Sequence, residues 1–195
     1  EIGDYTLQVE NSNISLEDFN QMSFNGVTIN DRFIDIIAKV GENIILSKLI
    51  IIDNDDKNLV STYVHNAYRK NIGKIAVILK SRVDNINEEA KVLGKNICMH
   101  IAASKPLALN LEGLDKSLIK KEKEVQFETI KSSGKPENII NKILDGKMKK
   151  FFGETVLLNQ QFILDPDKDI ETLLSDFSKN NKFEIIEYNC MVIGS

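Results

Sequence analysis

Apolar side chains recur along this chain at two spacings, one helical and one strand-like, and the alternation between them predicts its elements. Ser15-Leu16-Glu17-Asp18 has the form of a capping box with Asp in the last place, so a short helix is expected to begin there. Phe33, Ile36, Ile37 and Val40 then follow at helical spacing. Asn30 or Asp31 can cap that helix, and Gly41 stands where a left-handed C-terminal residue belongs. Three strand-like runs rich in Ile and Val come next, at 43–52, 59–64 and 72–80, with turn-forming residues at 53–58 between the first two. They predict a three-stranded antiparallel sheet.

Residues 87–104 predict a helix with Ala90, Leu93, Ile97 and Ile101 along one stripe, ended by Pro106. Segments 118–131 and 137–152 form the next helical pair, the second carrying Ile140, Ile143, Leu144, Met148 and Phe151 in register. Ser132-Ser133-Gly134-Lys135-Pro136 is a short breaker between them, and short connections favour antiparallel neighbours. A helical hairpin over 118–152 follows. A short helix at 167–178 and a last strand at Phe183–Val192 complete the pattern. The fold class is therefore α+β: two small subdomains, 1–112 and 113–195, each with an antiparallel sheet packed by helices, plus the inserted antiparallel helical hairpin.

Composition narrows the class without changing it. At 195 residues, 42% hydrophobic and 28% charged, the chain is ordinary for a soluble globular protein. A net charge of −4 argues against a broad nucleic-acid footprint, and no apolar run reaches the length of a membrane span. The two cysteines, Cys98 and Cys190, are far apart, so a disulfide framework is not expected and a reducing cytoplasm is the simplest setting. No signal peptide is recognisable, and a start at Glu1 rather than Met suggests a fragment or a processed product.

Candidates for covalent chemistry are few. His65 follows the run at 59–64, where a lone histidine reads as a surface residue. His100 lies at the edge of an apolar helical stripe, where a packed, hydrogen-bonded histidine is the simpler reading. Cys98 and His100 are two positions apart on a helix and point to different sides. Gly134-Lys135 lacks the glycine loop and strand of a phosphate cradle. Asp165-Pro166-Asp167 reads as a turn with helix-capping carboxylates, and Lys147, Lys149 and Lys150 as a solvated helix face. No catalytic residue, metal site or cofactor is expected.

Several segments, taken in order, resemble the translation elongation factor Ts family. They are Ala38 to Ile44, Tyr63-Val64-His65, Gly73 to Val77, Met99 to Pro106, Lys121-Glu122-Lys123-Glu124, Ser133 to Pro136, Gly146 to Phe151, and Gln161-Phe162 with Asp165-Pro166. Each is weak alone, and their ordered co-occurrence is specific. The resemblance implies the family's core or dimerisation region: two α+β subdomains, with an antiparallel coiled coil inserted into the second in some members. It also implies a partner, elongation factor Tu, on which the family exchanges guanine nucleotide. By position, Val40 and Gly41 match the hydrophobic–glycine pair that touches the partner's GTPase domain, and His65 matches a histidine that does likewise.

The sequence departs from the family in places. Val40 replaces the more frequent Ile, and the loop from Asn66 to Asn71 replaces a glycine-rich turn. The family's N-terminal helical domain, its Thr-Asp-Phe-Val wedge and the C-terminal helical extension of some members are not found, so the chain is expected to start just after the wedge. Asp18-Phe19 resembles part of that motif but reads as a helix with Phe19 turned inward. Two functions are carried forward: a nucleotide exchange factor acting by binding rather than as an enzyme, and a self-association or docking core that forms a homodimer or binds without exchanging. Neither involves direct contact with nucleic acid or membrane.

Overall fold

The computed structural model describes residues 2–131 and 136–194; Ser132, Ser133, Gly134 and Lys135 of the breaker lie outside the described residues. Backbone packing divides the chain into two compact units, Glu1–Asp53 and Asn54–Ser195.

The first unit holds α1 (Ile2–Thr6), α2 (Leu16–Gln21), the two-stranded ribbon β1 (Ser23–Phe24) and β2 (Val27–Thr28), and α3 (Ile29–Val40). Ser15 caps α2 as expected: its Oγ accepts from the Asp18 N–H at 3.0 Å and donates to the Asp18 carboxylate at 2.7 Å. The same device starts α3, but two or three residues earlier than Asn30 or Asp31 predicts. Thr28 is the cap, its Oγ1 accepting from the Asp31 N–H at 3.0 Å. Asp31 is therefore already inside the helix, as the acidic half of a capping box. Phe19, Phe24 and Ile29 form the small core of this unit, each 9% exposed or less. Tyr5 stacks on Phe24 with centroids 4.5 Å apart, and Arg32 lies over the Tyr5 ring while donating to the Phe24 carbonyl at 2.7 Å. Full burial of a side chain such as Phe19 contributes about 1.5–3 kcal/mol.

The predicted strand at 43–52 is not formed. The segment has no regular secondary structure, and its Leu46 and Leu49 pack against the Phe19–Phe24–Ile29 cluster. A strand requires a neighbour for its backbone groups, and the three-stranded sheet takes its third member from the far end of the chain.

In the second unit, β3 (Asn58–His65), β4 (Ile75–Val83), α4 (Glu88–Ser104), α5 (Lys116–Lys131) and α6 (Glu137–Thr155) are followed by a 3-10 turn at Leu157–Asn159. Then come β5 (Gln161–Phe162), β6 (Asp165–Asp169), α7 (Ile170–Ser178) and β7 (Phe183–Val192). The main sheet is antiparallel in the order β3-β4-β7, with Tyr63 opposite Val77, His65 opposite Ile75, and Ile75 opposite Val192. Val77, Leu79, Ser81 and Val83 alternate onto the buried face, where the α4 side chains Ala90, Leu93, Ile97 and Ile101 join the same core. Asn87 caps α4, and Lys105, left-handed at φ 47°, ends it before Pro106.

Helices α5 and α6 pack as the predicted hairpin through Ile130, Ile140, Leu144 and Met148, flanked by Ile119, Phe127 and Phe151. Asp165-Pro166-Asp167 is not a turn: it lies in β6, and the turn falls at residues 163–164. The helix expected from 167 begins at Ile170, because Asp169 is its cap, accepting from the Thr172 N–H at 2.7 Å. Lys147, Lys149 and Lys150 are exposed, as a solvated helix face should be.

Candidate functional site

Val40 and Gly41 occupy the C-terminal end of α3 in the first unit. The helix stops because Gly41 turns left-handed at φ 76°, a region costly for a residue with a Cβ, while its N–H still donates to the Ile37 carbonyl at 2.8 Å. That cap fixes the exit of the chain and leaves Val40 as the last side chain of the helix, 56% exposed. An exposed aliphatic side chain is ordinary by itself; what sets Val40 apart is its place directly before the left-handed Gly41.

His65 is the last residue of β3 in the second unit, exposed beyond the sheet's buried face. Strand alternation places it on the same face as Tyr63, whose hydroxyl lies 3.1 Å from His65 Nδ1 with the two rings 6.1 Å apart. With Nδ1 engaged by the tyrosine, Nε2 is the nitrogen left to meet a partner. The strand runs one residue further than the 59–64 pattern predicts, and this extension puts Tyr63 and His65 two positions apart on one strand.

His100 belongs to a different kind of site. It is fully buried, and its Nε2 lies 2.9 Å from Gln160 Oε1 while Nδ1 accepts from the Ile163 N–H at 3.4 Å. Gln160 donates in turn to the Glu154 carbonyl at 2.8 Å, which orients its oxygen towards the histidine. The imidazole is thus the neutral tautomer protonated on Nε2. Burial pushes its pKa below the ordinary 6.5, against the opposing pull of the Gln160 bond. This histidine ties α4 to the turn between α6 and β5, as the packed reading expects.

Cys98 faces the sheet instead, donating to the Ser61 carbonyl at 3.5 Å, and burial pushes its thiol up to about 12. Such a thiol is inert. Among the described residues no cluster of three His, Cys, Asp or Glu side chains could hold a metal ion, and no helix is long and apolar enough to cross a membrane.

The family model for Elongation factor TS matches residues 4–195. Elongation factor Ts of Sinorhizobium medicae is 37% identical over 155 residues, covering 80% of this chain and 50% of that protein. Elongation factor Ts of Bartonella henselae is 39% identical over 153 residues, covering 78% of this chain and 50% of its own length. The chain thus spans about half the length of the curated relatives it matches. A match that runs through both compact units, and takes in the helix end at Val40 and the strand end at His65, places this chain in the elongation factor Ts family.

Proposed function

We propose that this chain binds elongation factor Tu and promotes release of its GDP, with Val40, Gly41 and His65 as partner contacts. One observation carries the reading: Val40, at the position of the family's contact pair, stands 56% exposed on a helix end whose shape Gly41 has already fixed. A preformed apolar contact loses little entropy on docking. His65 offers Nε2 from a ring steadied by Tyr63.

Exchange on this reading is a matter of coupling. A factor that binds the nucleotide-free GTPase more tightly than the GDP form must weaken GDP binding by the same ratio. No covalent bond forms or breaks, so the activity is that of a binding protein acting in the cytoplasm. Titration calorimetry of the chain into elongation factor Tu, with Val40→Ala and His65→Ala, tests the contacts. Truncating a contact that is buried in the complex is expected to weaken binding roughly tenfold, about 1.4 kcal/mol. Unchanged affinity in both variants rejects these contacts.

Self-association is a second reading, favoured by the order β3-β4-β7, in which β3 and β7 are the edge strands of that sheet among the described residues. Sedimentation equilibrium decides it: a concentration-dependent dimer supports the homodimer, and a monomer throughout rejects it.

A further inference from the structure

The hairpin that carries His65 has a charge distribution unlike the rest of the chain. From Lys57 to Val83 it holds six lysines and arginines and no Asp or Glu, in a chain whose net charge is −4. At one end of the sheet this excess is compensated: Arg82 meets Glu184 at 3.3 Å, and Lys80 stands opposite Glu187 in the ladder. At the His65 end it is not. Arg69, Lys70 and Lys74 are exposed, and among the described residues their side chains have no hydrogen-bond or ion-pair partner. The adjoining end of β7 and the residues after it, from Tyr188 to Ile193, contain no carboxylate either.

The loop that bears these cations is built rather than slack. Asn66 and Asn71 take left-handed backbone at φ 49° and 62°, the region asparagine tolerates best among side-chain-bearing residues. The Tyr68 N–H donates to the Ile72 carbonyl at 2.9 Å, and the Ile72 N–H to the Arg69 carbonyl at 3.1 Å. The Lys74 N–H then donates to the His65 carbonyl at 3.2 Å, and the Ile193 N–H to the Lys74 carbonyl at 3.0 Å. This small secondary turn leaves Tyr68 69% and Ile72 59% exposed, and Ile193, tied to Lys74 from beyond the end of β7, is 74% exposed.

We infer that the loop from Asn66 to Lys74 is a second docking element, seating Tyr68 and Ile72 on a carboxylate-rich protein surface that Arg69, Lys70 and Lys74 complement. The inference rests on the reading that His65 contacts elongation factor Tu, and it makes the surface beside that contact acidic. Cations with no internal partner steer association towards negative charge. Two aliphatic side chains beside a tyrosine suit an apolar recess in a protein better than a stack of bases, and the chain's overall negative charge disfavours a polyanion.

Stopped-flow association of the full chain with elongation factor Tu, at about 50 and 300 mM salt, tests the assignment. The unaltered chain is expected to associate more slowly at the higher salt. The double variant Arg69→Glu, Lys70→Glu should lower the low-salt association rate on the order of tenfold and flatten the salt dependence, with its thermal unfolding unchanged. Tyr68→Ala should instead raise the dissociation rate roughly tenfold. If both variants match the unaltered chain while His65→Ala still weakens binding, the loop is no docking element and the His65 contact stands. If the unaltered chain does not bind at all, both assignments fall. A loop variant that loses affinity only for a labelled single-stranded RNA of about twenty nucleotides overturns the protein surface in favour of nucleic acid.

Discussion

At the scale of single residues, the two histidines divide by environment. His65 is held by one tyrosine and faces water, whereas His100 is enclosed by Gln160, the Ile163 N–H and the Phe162 ring. Because burial lowers the His100 pKa below the ordinary 6.5, the unfolded chain takes up a proton that the folded chain refuses. Stability should therefore fall as pH drops below about 6.5, and go on falling until the folded-state pKa is reached. Urea unfolding midpoints between pH 7.5 and 5 would show this as a slope that His100→Gln abolishes. Replacement by Ala leaves Gln160 and the Ile163 N–H without their partner, and is expected to cost about 2–4 kcal/mol. Both histidines were legible as residues from the sequence: one at a strand end, one beside an apolar stripe. Their partners were not, because Gln160 lies 60 positions from His100 and no local period encodes that separation.

At the scale of elements, helices were read more accurately than strands. A helix satisfies its own backbone, so its stripe and caps suffice: Ser15, Gly41 and Asn87 all stand where local rules put them. The run at 43–52 failed because β propensity measures fitness for a pleated surface, while pairing is decided elsewhere. The strand that β4 accepts is Phe183–Val192, matched over nearly its whole length and adjusted by a bulge at Lys80/Ser81.

The same sheet sets a limit on α4. A Cβ at Gly94 would fall on Ser61 Oγ and come 3.1 Å from Ser61 Cβ, so Gly94→Ala is expected to destabilise by about 1–3 kcal/mol. Adding Ser61→Ala removes the nearer atom and should recover part of that loss in chemical denaturation. Failure to recover any would place the strain elsewhere. At the end of α3, Gly41→Ala meets no neighbour within 4 Å but must adopt φ 76°. It should cost about 1 kcal/mol, and Gly41→Asn less, since asparagine tolerates that backbone.

At the scale of the whole molecule, the proposed function draws on what each of the two compact units presents by itself. The first offers an aliphatic helix end; the second offers a histidine at a strand end, beside a loop with uncompensated positive charge. The helix end and the strand end follow from local pattern, but a contact role for Val40, Gly41 and His65 comes from resemblance alone, since a valine before a glycine and a lone histidine carry no chemical signature. The charge segregation was open to inspection in the sequence but gained meaning once the fold showed which cations meet a carboxylate.

GDP release is the most direct reading of whether these surfaces act on the GTPase. Elongation factor Tu loaded with a fluorescent GDP would be mixed with excess unlabelled GDP, with and without this chain, and the loss of signal followed in time. Faster release that rises with chain concentration, and is reduced in Val40→Ala and His65→Ala, is the predicted result. Release at the intrinsic rate at every concentration would contradict the exchange function, whatever binding remained.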